Sequence, residues 1–241
     1  MLEVRDITVS FDGFKAVSRL SMKIEEQELR VVIGPNGAGK TTLLDLICGK
    51  TKPTSGSVWF RGVELSRLPE FQIVRAGVGR KFQNPSVYED LSVRENLELS
   101  IPQAHSIRRS LFFRRTPEIR ERIDAVAEQI QLTQHLKVKA AKLSHGQKQW
   151  LEIGMLLVQD PALLLLDEPA AGMTPKEREQ TSELLRSIAA HKSLVVIEHD
   201  MEFVRSIARR VTVLHQGQIL AEGTIDEVQS DQRVVEVYLG L

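Results

Sequence analysis

The stretch Leu29-Arg30-Val31-Val32-Ile33-Gly34-Pro35-Asn36-Gly37-Ala38-Gly39-Lys40-Thr41-Thr42 decides how the rest of the chain is read. A short, mostly apolar run ends at a glycine, and Gly34 to Thr41 then fill the pattern G-x-x-x-x-G-K-[ST] in full. Glycines in such a loop let backbone N–H groups turn inward around phosphates. The helix expected from Lys40 to about Cys48 adds a partial positive charge at its start. Lys40 is placed to reach the β/γ-phosphates, and the Thr41 hydroxyl to bind Mg²⁺. Gly34, Pro35, Asn36, Gly37, Ala38, Gly39, Lys40, Thr41 and Thr42 are therefore the candidate phosphate-binding residues.

Such a loop needs an acidic partner, and Leu163-Leu164-Leu165-Leu166-Asp167-Glu168 fits it. The continuous apolar run from Ala162 to Leu166 suits a strand covered on both faces. The acids emerge at its C-terminal end, where ligands sit in open α/β sheets. Asp167 is the candidate Mg²⁺ residue, and Glu168 the one to polarise the attacking water. A second small, glycine-bearing turn, Leu143-Ser144-His145-Gly146-Gln147, opens another helix with Ser144 as its cap. A helix start of this kind is a second place to grip a phosphate. Two grips in one chain suggest a nucleotide held from two sides, by two different chains.

Composition narrows the class. The chain has 241 residues, enough for one large domain or two lobes. Its 32 basic and 32 acidic residues cancel, which argues against nucleic-acid binding driven by bulk charge. The one cysteine, Cys48, cannot form an internal disulfide; a reducing compartment and a small buried side chain are expected. No apolar run approaches the roughly 18 residues of a membrane span. The start Met1-Leu2-Glu3-Val4-Arg5-Asp6 lacks the apolar core of a signal peptide. A cytosolic chain that meets membrane only through a partner is expected.

The periodicity alternates strand and helix. Strands are expected around Leu2–Val9, Val17–Ile24, Leu29–Ile33, Ser57–Phe60, Val63–Leu65 and Val78–Phe82. From Ser92 the pattern turns helical, and Thr116-Pro117-Glu118 is a strong helix start. Helices are expected over Pro175–His191 and Asp200–Ala208, with strands at Leu194–Ile197, Val211–Leu214 and Gln218–Ala221. Short helices follow around Thr224–Val228 and near Tyr238. The fold expected is α/β: a P-loop NTPase core, a RecA-like mixed sheet with helices, plus an N-terminal antiparallel β part and an inserted helical subdomain. The chain then reads as one nucleotide-binding domain, with a core over 1–87 and 161–241 and a helical insert over 88–160.

Taken in order, the phosphate loop, Phe82-Gln83, Leu143–Gln147, Leu166-Asp167-Glu168-Pro169 and Glu198-His199-Asp200 resemble the ATP-binding subunit of ABC transporters over nearly the whole chain. The resemblance implies ATP and Mg²⁺ as ligands and ATP hydrolysis as the activity. It implies that Phe11 stacks on adenine; the alternative is a core phenylalanine beside Phe14. It implies that Gln83 senses Mg²⁺ and the attacking water and that His199 contacts the γ-phosphate, making Glu168, His199 and Gln83 the catalytic set. Thr41, Gln83 and Asp167 become the metal set. Ser144, Gly146 and Gln147 would meet a nucleotide held by the opposite subunit. Two departures stand out. The family's usual glycine is replaced by His145, either a projection into the dimer interface or a group with a chemical role. The frequent Ser-Ala-Leu-Asp is replaced by Ala171-Gly172-Met173-Thr174, which puts equal firing of two composite sites in question.

Ala171-Gly172-Met173 and the tail Ile219–Thr224 are similar to the branched-chain amino acid importer group. Within it, Leu143–Met155 and Glu198–Ala208 are similar to the ATPase known as the D subunit of urea importers. The resemblance implies an ATPase powering import of urea or short-chain amides, with a branched-chain amino acid importer as the alternative. It implies a bacterial complex at the cytoplasmic face of the inner membrane. Its partners would be a second cassette or a second copy, two membrane permeases and a periplasmic solute-binding protein, without nucleic acid. The basic and aromatic stretch Ile107–Arg115 reads as a solvated insert or as a contact for lipid headgroups or permease. A soluble ABC ATPase of DNA repair or translation usually carries two cassettes or a long coiled coil, and this chain has one loop and a short insert. A small-molecule kinase leaves Ser144–Gln147 and His199 unexplained.

Overall fold

The computed structural model describes residues 1–81, 86–102 and 116–239. Ten strands and nine helices run among the described residues in the order β1 (Leu2–Phe11), β2 (Phe14–Ile24), β3 (Leu29–Ile33), α1 (Lys40–Ile47), β4 (Ser55–Phe60), β5 (Val63–Glu64), α2 (Glu70–Arg75), β6 (Val78–Lys81), α3 (Val93–Ser100), α4 (Pro117–Gln129), α5 (His145–Leu157), β7 (Leu163–Asp167), α6 (Pro175–Ala189), β8 (Ser193–Ile197), α7 (Met201–Ile207), β9 (Arg210–His215), β10 (Gln218–Gly223), α8 (Ile225–Ser230) and α9 (Gln232–Leu239). One sheet has the order β2-β1-β4-β5 and is antiparallel. The other has the order β10-β9-β3-β8-β7-β6; it is parallel from β9 to β6, with β10 as an antiparallel edge. This is the P-loop NTPase arrangement the sequence implied.

The central strands β3, β7 and β8 are buried at every residue, which is why they carry no polar alternation. Their alternate residues feed two different cores. Val31, Ile33, Leu164, Leu166, Leu194 and Val196 face α3 to α7. Val32, Leu163, Leu165, Val195 and Ile197 face α1 and the antiparallel sheet. The loop between β3 and α1 and the acids at the end of β7 thus emerge together at the C-terminal ends of the parallel strands, two strands apart.

The helices of the 86–160 stretch start where their caps allow. Ser92, Ser144 and Thr116 each accept a hydrogen bond from the backbone N–H three residues on, and at Ser92 and Ser144 the third residue reciprocates in a capping box. Several elements depart from the sequence expectations. Helix α2 was not anticipated: Pro69 precedes it without a side-chain cap, and Ile73 is its one buried residue. Strand β5 is only two residues, because a 3₁₀ turn begins at Leu65. Strand β6 is described to Lys81; Phe82 lies outside the described residues, as does the basic stretch 107–115. Cys48 is half-buried rather than buried, and Arg80 donates to its sulfur at 3.1 Å. No described helix is long and apolar enough to cross a membrane.

Candidate functional site

The 34–42 loop leads into α1, and its residues 36–42 line a cleft of about 430 Å³ together with Phe11, Phe14, Ala16, Asp167, Glu168 and Ile197. Gly39 takes φ +97°, and a Cβ there would lie 2.5 Å from the carbonyl oxygen of Ala16. A side chain there would meet both a left-handed backbone and a clash with main chain, so the position requires glycine. The Ala38 N–H donates to Pro35 O at 3.2 Å and Leu43 N–H to Gly39 O at 2.9 Å, closing the loop onto the helix. Lys40 Nζ donates to Gly34 O at 2.8 Å and to Pro35 O at 3.0 Å. Burial pulls the Lys40 ammonium below its ordinary range, opposed by the charges of Glu168 and Asp167. The cation therefore sits between its own loop and the two acids.

Asp167 is the last residue of β7 and is buried. Burial pushes its carboxyl above the usual range; Arg80, whose Nη2 lies 4.0 Å away, and the Thr41 hydroxyl pull it back. A buried carboxylate touching the hydroxyl of Thr41 fits a Mg²⁺ site, because that ion takes one or two protein oxygens and fills its shell with water and phosphate.

Glu168 has φ +46°, an uncommon backbone for a side chain with a Cβ. Its N–H donates to Ile197 O at 3.0 Å, which ties the bend to the end of β8. Its Oε1 lies 3.3 Å from Nδ1 of the exposed His199. Glu198, just before that histidine, is buried; it accepts from Ala170 N–H at 3.1 Å and from His199 N–H at 3.2 Å, yet burial still raises its carboxyl. Glu198 thus spans the two loops that follow β7 and β8. Its signal in the sequence was an acid closing an all-apolar run, the same one that marked Asp167.

Phe11 and Phe14 are 50% and 67% exposed on the β1–β2 turn. Neither belongs to the core, so the core-phenylalanine alternative for Phe11 falls. Phe14 joins the cleft wall although sequence reasoning left it aside. Gln83 lies outside the described residues.

Ser144, Gly146 and Gln147 stand apart from this cleft and do not line it. Ser144 caps α5 from an exposed position. The Gln147 side chain accepts from Ser144 N–H at 3.0 Å, and its amide nitrogen lies 3.4 Å from His135 Nε2. It therefore serves its own turn. The Ser144 hydroxyl donates to Glu177 Oε1 at 2.9 Å.

A phosphate loop facing Asp167–Glu168, with a remote serine-glycine turn opening a helix, is the geometry of a nucleotide-binding cassette, and residues 17–171 match the family model described as ABC transporter. The chain belongs to the ABC transporter family. This ABC cassette is an ATPase of the kind that powers transport. Its residues 218–240 match a second model, described as branched-chain amino acid ATP-binding cassette transporter.

Among curated relatives, the cassette is 38% identical to the high-affinity branched-chain amino acid transport ATP-binding protein LivG of Salmonella typhimurium, over all of this chain and 98% of that one. It is 36% identical to BraF of Pseudomonas aeruginosa, a protein of the same description, with the same coverage. Among solved structures, a nucleotide-free ATP-binding cassette from an ABC transporter superposes with a TM-score of 0.88 at 31% identity, covering 100% of this chain and 99% of that one. A dimeric cassette in a post-hydrolysis state, bound to ADP and Pi, superposes with a TM-score of 0.76 at 25% identity over 93% of this chain and 99% of its own. The relatives' names agree with the amino acid reading of the sequence rather than the urea reading.

Proposed function

We propose that this ABC ATPase closes, with a second cassette, on two ATP molecules and thereby drives solute import through two membrane permeases. One observation carries the reading. Lys40 faces Asp167 and Glu168 across a single cleft, and Ser144, Gly146 and Gln147 are not part of its wall. A phosphate held in that cleft leaves the second grip free for a nucleotide of another chain. The dimeric neighbour bound to ADP and Pi supports the same arrangement. The partner is a second copy or a related cassette.

Each residue then has a task. The 34–42 backbone holds the phosphates, and the Lys40 donors leave Gly34 O and Pro35 O for phosphate oxygens. Phe11, with Phe14 beside it, offers an exposed aromatic face to adenine. Thr41 and Asp167 would hold Mg²⁺, with Gln83 completing the set; the ion supplies neutralisation of the charge that builds on the phosphate. Glu168 orients the attacking water and takes its proton, while His199 steadies the Glu168 carboxylate and reaches the γ-phosphate. Residues 88–160 act as a helical subdomain that passes closure to the permeases, at the cytoplasmic face of a bacterial inner membrane. A periplasmic binding protein delivers the solute.

Two solutes have specific support. The names of the relatives and the 218–240 match favour branched-chain amino acids. The similarity of Leu143–Met155 and Glu198–Ala208 to the urea importer ATPase favours urea or a short-chain amide. Uptake of radiolabelled leucine and urea, compared in cells lacking and regaining this chain, decides between them. Restoration of neither would defeat the importer reading.

A further inference from the structure

We propose that His145 is a positioning residue: with Ser144 it clasps the 143–147 turn to the 168–174 loop of the same chain, so that nucleotide bound beside Glu168 sets the turn that the cassette lends to its partner. The inference deepens the function proposed above and rests on its two-chain reading.

His145 stands where the family usually has glycine, and it spends its side chain inside its own chain. Its Nε2 lies 3.1 Å from the carbonyl oxygen of Ala171. Ala171 in turn donates its N–H to the carbonyl oxygen of Glu168 at 3.2 Å. One residue therefore joins the backbone of Glu168 to the 143–147 turn. Donation to this carbonyl puts the proton on Nε2, which also lies 3.5 Å from the Gln149 side-chain nitrogen.

A second tie lies beside the first. The Ser144 hydroxyl donates to Glu177 Oε1 at 2.9 Å, while Glu177 Oε2 accepts from Thr174 N–H at 3.0 Å and from the Thr174 hydroxyl at 2.8 Å. A Cβ on Gly146 would lie 2.6 Å from the Glu177 carboxyl, so the turn and the start of α6 are in close contact. A third tie is buried beneath them. Trp150 Nε1 donates to Thr181 Oγ1 at 2.8 Å, and Thr181 Oγ1 lies 3.1 Å from Met173 Sδ. The last two ties involve helix caps and core packing, which any cassette needs for stability. His145 and Ser144 are both exposed, but Ser144 also caps α5, so the His145 contact is the tie that can be removed without uncapping a helix or opening the core.

Hydrogen exchange on the full chain tests the clasp, with Mg²⁺ and a slowly hydrolysed ATP analogue, at a concentration where sedimentation shows monomers. The reporters are the amides of Ser144, Gln147 and Lys148, all hydrogen-bonded at the turn. The analogue should slow their exchange in the parent and in His145→Gln, whose amide can still donate to Ala171 O. In His145→Ala the slowing should be lost, by about two- to tenfold, the range one net hydrogen bond supports. Protection of residues 34–42 should stay the same in all three. The clasp is overturned if His145→Ala keeps the effect, if the parent turn does not respond while 34–42 does, or if it responds only at concentrations where dimers form. Failure to dimerise with the analogue at any concentration, alone or with a second cassette, would instead sink the two-chain reading.

Discussion

Glu168 Oε1 lies 3.3 Å from His199 Nδ1, across the ends of two adjacent parallel strands. The strained Glu168 backbone and its bond to Ile197 O aim the carboxylate at the cleft rather than at the sheet. A group held this way can orient a water without contributing to nucleotide affinity. Glu168→Gln should therefore keep ATP binding and lose hydrolysis by about 10²–10⁴-fold, the usual contribution of a general base. Single-turnover phosphate release beside equilibrium ATP binding measures both, and sedimentation should show a trapped dimer. Hydrolysis near the parent rate would remove Glu168 from the role.

Phe11 and Phe14 share the cleft wall but differ in exposure. If an aromatic face stacks on adenine, its loss weakens ATP by about 1–3 kcal/mol, as base stacking elsewhere does. Phe11→Ala should show that loss for ATP and none for inorganic triphosphate, which has no base to stack. Phe14→Ala should have a smaller effect, because it stands farther into solvent. Calorimetric titration with the two ligands separates the cases, and equal losses for both would rule out stacking.

What the sequence made legible follows from where the information sits. The 34–42 loop was readable because its glycines and Lys40 are local requirements, and Ser144 because a cap and its Gln147 partner lie three residues apart. Asp167 was readable because an unbroken apolar run ends on it, at the end of a parallel strand where ligands sit. Contacts between distant segments were not readable. Arg30 is buried against Glu28, Thr212 and Glu222, although nothing near Arg30 announces residues of β9 and β10. The core alternative stayed open for Phe11 because local pattern cannot tell a turn-tip aromatic from a packed one; the structure leaves Phe11 50% exposed.

Lys81 and Glu152 form a second pair that local sequence hides, 3.4 Å apart and buried on both sides. Glu152 Oε1 also accepts from Ser86 N–H at 3.3 Å, so this carboxylate on α5 holds both flanks of the segment carrying Gln83. Breaking one side of such a pair leaves a charge in the core and costs about 3–5 kcal/mol, whereas replacing both with apolar residues is often neutral. Lys81→Met should destabilise by that amount in urea unfolding, and Lys81→Met with Glu152→Met should recover most of it. The double variant should still hydrolyse ATP more slowly than the parent, because Lys81 and Ser86, which flank Gln83 in sequence, have lost their common partner. Full activity in the stable double variant would show that the pair serves stability alone.

Asp167 should show the cost of building the Mg²⁺ site. Burial raises its carboxyl above the ordinary range even with Arg80 and Thr41 opposing. The folded chain then binds that proton more tightly than the unfolded chain. The stability it brings is present below the ordinary Asp range and is lost as pH rises through the raised value. At neutral pH, without nucleotide or divalent cation, the ionised Asp167 thus weakens the fold. Asp167→Asn should raise Tm there by about 2–4 °C, the shift expected for roughly 1 kcal/mol in a chain of this size. The gain should shrink on acidification, as the parent takes up the same proton, while Mg²⁺-dependent hydrolysis is lost at every pH. A variant less stable than the parent at neutral pH would mean that Arg80 and Thr41 outweigh burial, and that this carboxylate holds the fold together.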